Sequence, residues 1–256
     1  MLKRISTIDY YGTEFINLEN NRILLDDNKF NKILEIIRKT TYYFGSNLTI
    51  EPPEKDIDSF IINLCIDEYQ FEFYAEKVKN RNIMENTVQN IYKDGKLVVE
   101  NVHTRKYENY DIVLDFHTKL NLLTKNIFCS GNMEKSLFNI KNKYNSEYFD
   151  IMNKLIPMFF DNLDYIDSSG VYTKSGHRFN LEDQGSGFNS FVNLIPSMCE
   201  AIKTNSTVII DRYTSFHPIL KRAIFKELWD EGNLHKLLNE DSSNGQIIMR
   251  SYMDES

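Results

Sequence analysis

The chain has 256 residues, 41% hydrophobic and 26% charged, a balance ordinary for a soluble globular protein and long enough to bury a sizeable core. Thirty basic residues against 37 acidic ones give a formal charge of −7 with no dense Lys/Arg stripe, so nucleic-acid binding by this chain alone is not favoured. Three well-separated cysteines, Cys65, Cys129 and Cys199, without C-x-x-C spacing suggest neither a disulfide framework nor a zinc site, and no stretch approaches the roughly 18 apolar residues of a membrane span.

The start "MLKRISTIDYYG" lacks an apolar core of signal-peptide length, and a cytoplasmic protein with no membrane association is expected. Apolar and polar residues alternate in two short runs, Ile5, Ile8, Tyr10 and Phe15, Ile16, Leu18, before the apolar end Ile23 to Leu25. Two or three strands are predicted, joined at Gly12 and Asn20-Asn21. Polar residues follow, then a helix with Ile33, Leu34, Ile36 and Ile37 on one face and Arg38 and Lys39 near its end. "SFIINLCIDEYQFEFYAEKV" alternates about Asp67-Glu68, and "VQNIYKDGKLVVENV" about Asp94-Gly95, a strong hairpin turn. Residues 57 to 115 therefore read as an antiparallel sheet.

From about 118 to 165 the pattern turns helical, with an aromatic stripe of the kind that forms a core. "GVYTKSGHRFNL" predicts a hairpin turning near Ser175-Gly176. After it come a helix in "SFVNLIPSMCEAIKT", a buried parallel strand in "TVIID", an amphipathic helix in "HPILKRAIFKELWDE" and a last strand in "GQIIMRS".

Four stretches hold the residues with chemistry to offer: "DDNKFNKI" from Asp26, "EDQGSGFNS" from Glu182, "TVIIDRYTSFHP" from Thr207, and "GQIIMRSYMDES" from Gly245. In order and spacing they resemble the ATPase core of the ABC, SMC-like and OLD-like AAA-family proteins. The resemblance spans the chain and implies an α/β fold. It predicts a P-loop NTPase-like, ABC-type core with a parallel sheet, an antiparallel β insertion and a helical segment. One domain over 1–256 is expected, with its core at about 1–50 and 166–256 and the insertion at about 57–165. Relatives with an appended nuclease carry acidic metal-binding motifs after the core; the chain ends at Ser256, and no such domain is expected.

A Walker A loop, G-x-x-x-x-G-K-[ST], uses glycines to close backbone N–H groups around phosphates, a Lys to reach them and a hydroxyl to ligate Mg²⁺. Lys32 falls at the Lys position, and Asn28 matches an Asn common in this family's loop. Asp26 and Asn31 replace the glycines, and Ile33 replaces the hydroxyl. Asp26 and Asp27 put carboxylates where a polyanion must approach; a like-charge contact near 4 Å costs roughly 4 kcal/mol at an effective dielectric of 20, about three decades of affinity.

In the second stretch Asp183, Gly185 and Gly187 match the family's D-x-G-x-G loop, which touches the γ-phosphate bound by the opposite subunit. Asn189 stands where a Ser is common. In the third, Asp211 keeps the metal-organising position, while Arg212 replaces the catalytic Glu and, lacking an acceptor lone pair, cannot polarise water. Ser215 to Pro218 match the S-L-H-P stretch, so His217 is a further candidate. In the fourth, Tyr252 takes the place of the switch His.

The resemblance thus implies a pseudo-ATPase, a scaffold or regulator that binds another protein, in oligomers with an active ATPase or an effector nuclease or toxin, in phage-defence, repair or mobile-element systems. The alternative is an ATP-binding or slowly hydrolysing enzyme, completed by a partner subunit and using Lys32, Arg212 and Asp211. ATP, with magnesium on Asp211, is a cofactor only if this altered site still binds. A charge cluster of Lys32 and Arg212 with Asp26, Asp27 and Asp211 is expected where phosphate and Mg²⁺ would lie. His103, His117, His177, His217 and His235 show no i, i+4 pairing and no G-x-S-x-G elbow occurs, which gives a metal- or triad-dependent hydrolase little support.

Overall fold

The computed structural model describes residues 1–10, 12–43, 49–50, 57–78, 83–100, 120–122, 146–167, 169–180, 183–210 and 217–251. The chain divides into two compact units, Met1–Ile23 with Asp27–Leu120, and Leu24–Asp26 with Asn121–Ser256.

The first unit is built on an antiparallel sheet of seven strands in the order β2-β1-β5-β6-β7-β4, with β8 also beside β7. These are β1 (Leu2–Ile8), β2 (Glu14–Asn17), β4 (Thr49–Ile50), β5 (Ser59–Ile66), β6 (Tyr69–Lys77), β7 (Met84–Lys93) and β8 (Lys96–Val99). Period-two alternation does what it predicts: Phe60, Ile62, Leu64 and Ile66 of β5 are buried with Phe71, Phe73 and Ala75 of β6, and the residues between them are half-buried. Asp94 and Gly95 both have positive φ, 50° and 73°, which gives the hairpin the turn that matches strand twist.

β1 joins this sheet by pairing with β5, Ile5 opposite Leu64, so strands distant in sequence close it. β2 is its outer strand among those described, and its Phe15, 64% exposed, lies under the Arg4 guanidinium at 5.4 Å. Helix α1 (Asp27–Tyr43) buries Phe30, Ile33, Leu34, Ile36 and Ile37, spaced at helical intervals. Tyr10 ties the helix in: its ring meets Phe60 edge-on at 4.8 Å, and its hydroxyl reaches Glu35 at 3.5 Å.

The second unit holds a four-stranded sheet in the order β3-β14-β13-β9. Its strands are β3 (Arg22–Leu25), β9 (Leu120–Leu122), β13 (Thr207–Ile210) and β14 (Gln246–Arg250). β13 and β14 run parallel, Thr207 opposite Gln246 and Ile210 opposite Met249, with Val208 to Ile210 and Ile247 to Met249 fully buried. Continuous apolar runs suit strands covered on both faces. The one polar pair at their start is satisfied internally, Thr207 Oγ1 donating to Gln246 Oε1 at 2.7 Å.

Helices α2 (Ser146–Phe159), α3 (Ser186–Thr204), α4 (Pro218–Arg222) and α5 (Asn233–Leu238) complete this unit, together with an antiparallel meander, β10 (Leu163–Asp167), β11 (Gly170–Thr173) and β12 (Arg178–Phe179). α4 continues as a π-helical turn, Ala223–Asp230. Their core is one cluster, including Tyr148, Met152 and Ile156 of α2 and Phe191, Ile195 and Met198 of α3. Tyr148 donates its hydroxyl to Glu200 at 2.7 Å, and burial, then that carboxylate, raises the phenol's pKa.

The fold class is as expected, α/β with a parallel pair, a separate antiparallel sheet and a helical segment. The stretch read as helical, 118–165, contains the strand 120–122 and the start of the strand 163–167. The alternation of β10 is hidden by a bulge between Leu163 and Tyr165, which leaves its buried residues, Leu163 and Ile166, at a helix-like spacing. The remainder of that stretch before α2 lies outside the described residues. Among the described residues, no helix is long and apolar enough to cross a membrane.

Candidate functional site

The strand-to-helix junction at Asp26 is where a phosphate loop would lie. β3 ends at Leu25 and α1 begins at Asp27, so a single residue joins them. The sequence reading expects a polar loop before the helix; those polar residues are the first turns of the helix itself. Backbone N–H groups from Asn31 onward are thereby committed to the helical ladder and cannot close around an anion. Asp26 and Asp27 instead place carboxylates at the positive end of the helix dipole, where they favour this helix start without any ligand.

Asn28 lies in the first turn and Lys32 in the second. Lys32 Nζ is 3.2 Å from Glu14 Oε2 of β2, the two side chains being 35% and 32% exposed. Sequence reasoning missed Glu14, since nothing in the spacing of β2 marks it as a partner of a residue 18 positions on. Ile33, at the position of the metal-binding hydroxyl, is wholly buried and is a packing residue. A nucleotide phosphate therefore fits the groups at this junction poorly: the one-residue link leaves no loop to wrap around it, two carboxylates flank the helix start and the lysine has an internal counter-ion.

The glycine-containing stretch forms the start of α3. Asp183 is exposed in a turn, its N–H bonded to Asn180 O at 3.1 Å. Gly185 is the residue before the helix, with φ −60° and ψ 154°, and a Cβ there would meet nothing within 4 Å. Gly187 follows in the first turn. Asn189 turns back on this loop, Nδ2 donating to Gln184 O at 3.0 Å, and its Oδ1 is enclosed without a hydrogen-bond partner. Asn193 and Ser197 repeat the move, donating to Asn189 O at 2.7 Å and Asn193 O at 3.1 Å. The ladder fixes this face of α3 by bonds within the helix.

His217 caps α4: its Nδ1 accepts from the Ile219 N–H at 3.4 Å, with Pro218 at the first helical position. Asp211 and Arg212, which follow β13, and Tyr252, which follows β14, lie outside the described residues, as does the expected charge cluster that includes them. Among the described residues, no group of three or more His, Cys, Asp or Glu side chains could hold a metal ion.

No protein-family model matches the chain, and no curated protein matches it. Solved structures do match: the SMC head domain from Thermotoga maritima is similar over 99% of this chain and 90% of that one, with a TM-score of 0.53 and 14% sequence identity. At that identity the likeness is one of fold. The chain shares the α/β architecture of that head domain.

Proposed function

We propose that this chain is a catalytically degenerate ATPase-core protein, a scaffold or regulator that binds an active ATPase or an effector in a phage-defence or mobile-element system. The observation that carries the reading is the one-residue link between β3 and α1, with Lys32 held by Glu14. Phosphoryl transfer depends almost wholly on positioned charges around the phosphates, so a junction without a phosphate cradle removes the largest contribution. Arg212 and Tyr252, at the positions of the catalytic Glu and the switch His, act in the same direction. The retained fold then serves as a surface for other proteins.

Calorimetric titration with ATP, with and without Mg²⁺, combined with a phosphate-release assay on the same sample, tests it. Neither heat nor phosphate is expected at millimolar ATP. Turnover that requires Mg²⁺ and disappears in Lys32→Ala would overturn the proposal and establish an enzyme. Binding without metal or turnover would point to a nucleotide-sensing scaffold, with Lys32 and Arg212 as the phosphate ligands.

A further inference from the structure

The helix after α4 is wider than an α-helix. Glu231 N–H donates to Lys226 O at 3.0 Å, a bond across five residues, and the π-helical turn covers Ala223–Asp230. Such turns are rare because the wider ring holds one more residue per turn and loses contact across the helix axis. A π turn of this length therefore needs packing that favours it over the α form.

Trp229, the only tryptophan in the chain, supplies that packing. It is 4% exposed, and its Cη2 lies so near Gly245 that a Cβ there would sit 3.1 Å from it. The same Cβ would also be 3.1 Å from the backbone of Ala201 and Ile202, so Gly245 lies between the indole and the end of α3. The indole also meets His235 edge-on, ring centroids 5.3 Å apart. His235 Nε2 is bonded to Asn244 O at 2.8 Å, which fixes the chain leading into β14 against the same cluster. The far end of the helix is set separately, by His217 and Pro218.

We infer that α4 and its π-helical continuation form an element with two registers, the wide one held by Trp229 against Gly245. Withdrawal of the indole lets residues 223–230 tighten to α and turns the helix start at His217. The sequence of the turn supports both forms, because Ile224 and Leu228, and Phe225 and Trp229, are four residues apart and share a face in an α-helix. A change in the connection before β14 is thereby relayed to the helix start at His217. This inference does not rest on the proposed function.

Deletions in the full chain test it. Lys226 is exposed in the π turn and Lys154 is exposed in the regular helix α2. Deleting Lys226 removes the surplus residue, so this variant is expected to melt near the parent temperature, whereas deleting Lys154 throws the buried face of α2 out of register and should lower it sharply. Equal losses in the two variants would overturn the inference. Trp229→Phe, which lacks Cη2, provides a second reading by backbone chemical shifts. Those of residues 223–230 should move towards α-helical values while those of Ile247 and Ile248 stay; unchanged shifts in 223–230 would count against two registers.

Discussion

Lys32 of α1 and Glu14 of β2 face each other at 3.2 Å, each about one-third exposed, so the lysine that the resemblance aligns with the Walker A lysine is paired within its own unit. A half-solvated pair of this kind contributes little to stability, about 0.2–1 kcal/mol. A double-mutant cycle on Glu14→Gln and Lys32→Met, followed by urea unfolding, should give a coupling in that range. Calorimetry on Glu14→Gln should still show no heat with ATP, because the helix start at Asp27 is unchanged. ATP binding gained on removing Glu14 would mean that the counter-ion alone had blocked the site.

Restoring the hydroxyl of a Walker A loop should damage the protein rather than revive it. Ile33 is fully buried, so Ile33→Thr loses apolar volume and encloses a hydroxyl in the core. The expected cost is about 2–4 kcal/mol, measured as a lower urea midpoint, without any gain in Mg²⁺-dependent phosphate release. A neutral substitution would show that this side chain does not pack as described.

Glycine is needed at Gly170 for space and at Gly95 for backbone freedom alone. A Cβ at Gly170 would come 2.6 Å from Phe179 O, whereas at Gly95, with φ +73°, it would meet nothing within 4 Å. Gly95→Ala should cost roughly 1–2 kcal/mol from the left-handed conformation. Gly170→Ala should cost more, since the β11–β12 pairing must also shift. Thermal denaturation of the two variants gives the comparison, and equal losses would contradict it.

Acid should weaken the second unit through two carboxylates, Asp167 at the end of β10 and Asp241 in the turn before β14. Burial tends to raise the pKa of Asp167, but hydrogen bonds from the Ser169 hydroxyl and N–H and from Gly170 N–H, with the charge of Arg178, outweigh it and leave the group below its usual value. Asp241 is lowered by the backbone N–H and then the hydroxyl of Ser243. Folded-state values below the unfolded value of about 3.9 mean stabilisation that is complete above it and lost as pH falls through the folded values. Urea midpoints measured from neutral pH down to about pH 3 should therefore fall, and less steeply in Asp167→Asn. Identical slopes would refute the assignment.

Where one physical signal dominates, the sequence is readable. Alternation in β5 and β6, the positive-φ pair Asp94-Gly95 and the apolar run of β13 each predict their element from local residues. The pairing of β1 with β5 is not local, as Ile5 and Leu64 meet only once the chain folds back. The junction at Asp26 misleads because polar residues suit an exposed helix start as well as a loop, and only the observed hydrogen-bonded structure separates the two. Glu14 carries no signal at all, and the π turn has none either, since its apolar spacing also fits an α-helix.

The outer strand β2 has a consequence for how the protein behaves when concentrated. Among the described residues no strand pairs with its far edge, which offers four residues, Glu14–Asn17, to an extended segment of another molecule. Each hydrogen bond so gained contributes about 1 kcal/mol net, while ordering each incoming residue costs about 1–2 kcal/mol. The Arg4 guanidinium over the exposed Phe15 puts a positive charge at this edge that an incoming apolar strand would have to desolvate. The sheet should therefore stop at β2 rather than propagate from molecule to molecule, which favours a dispersed solution over a fibrous aggregate.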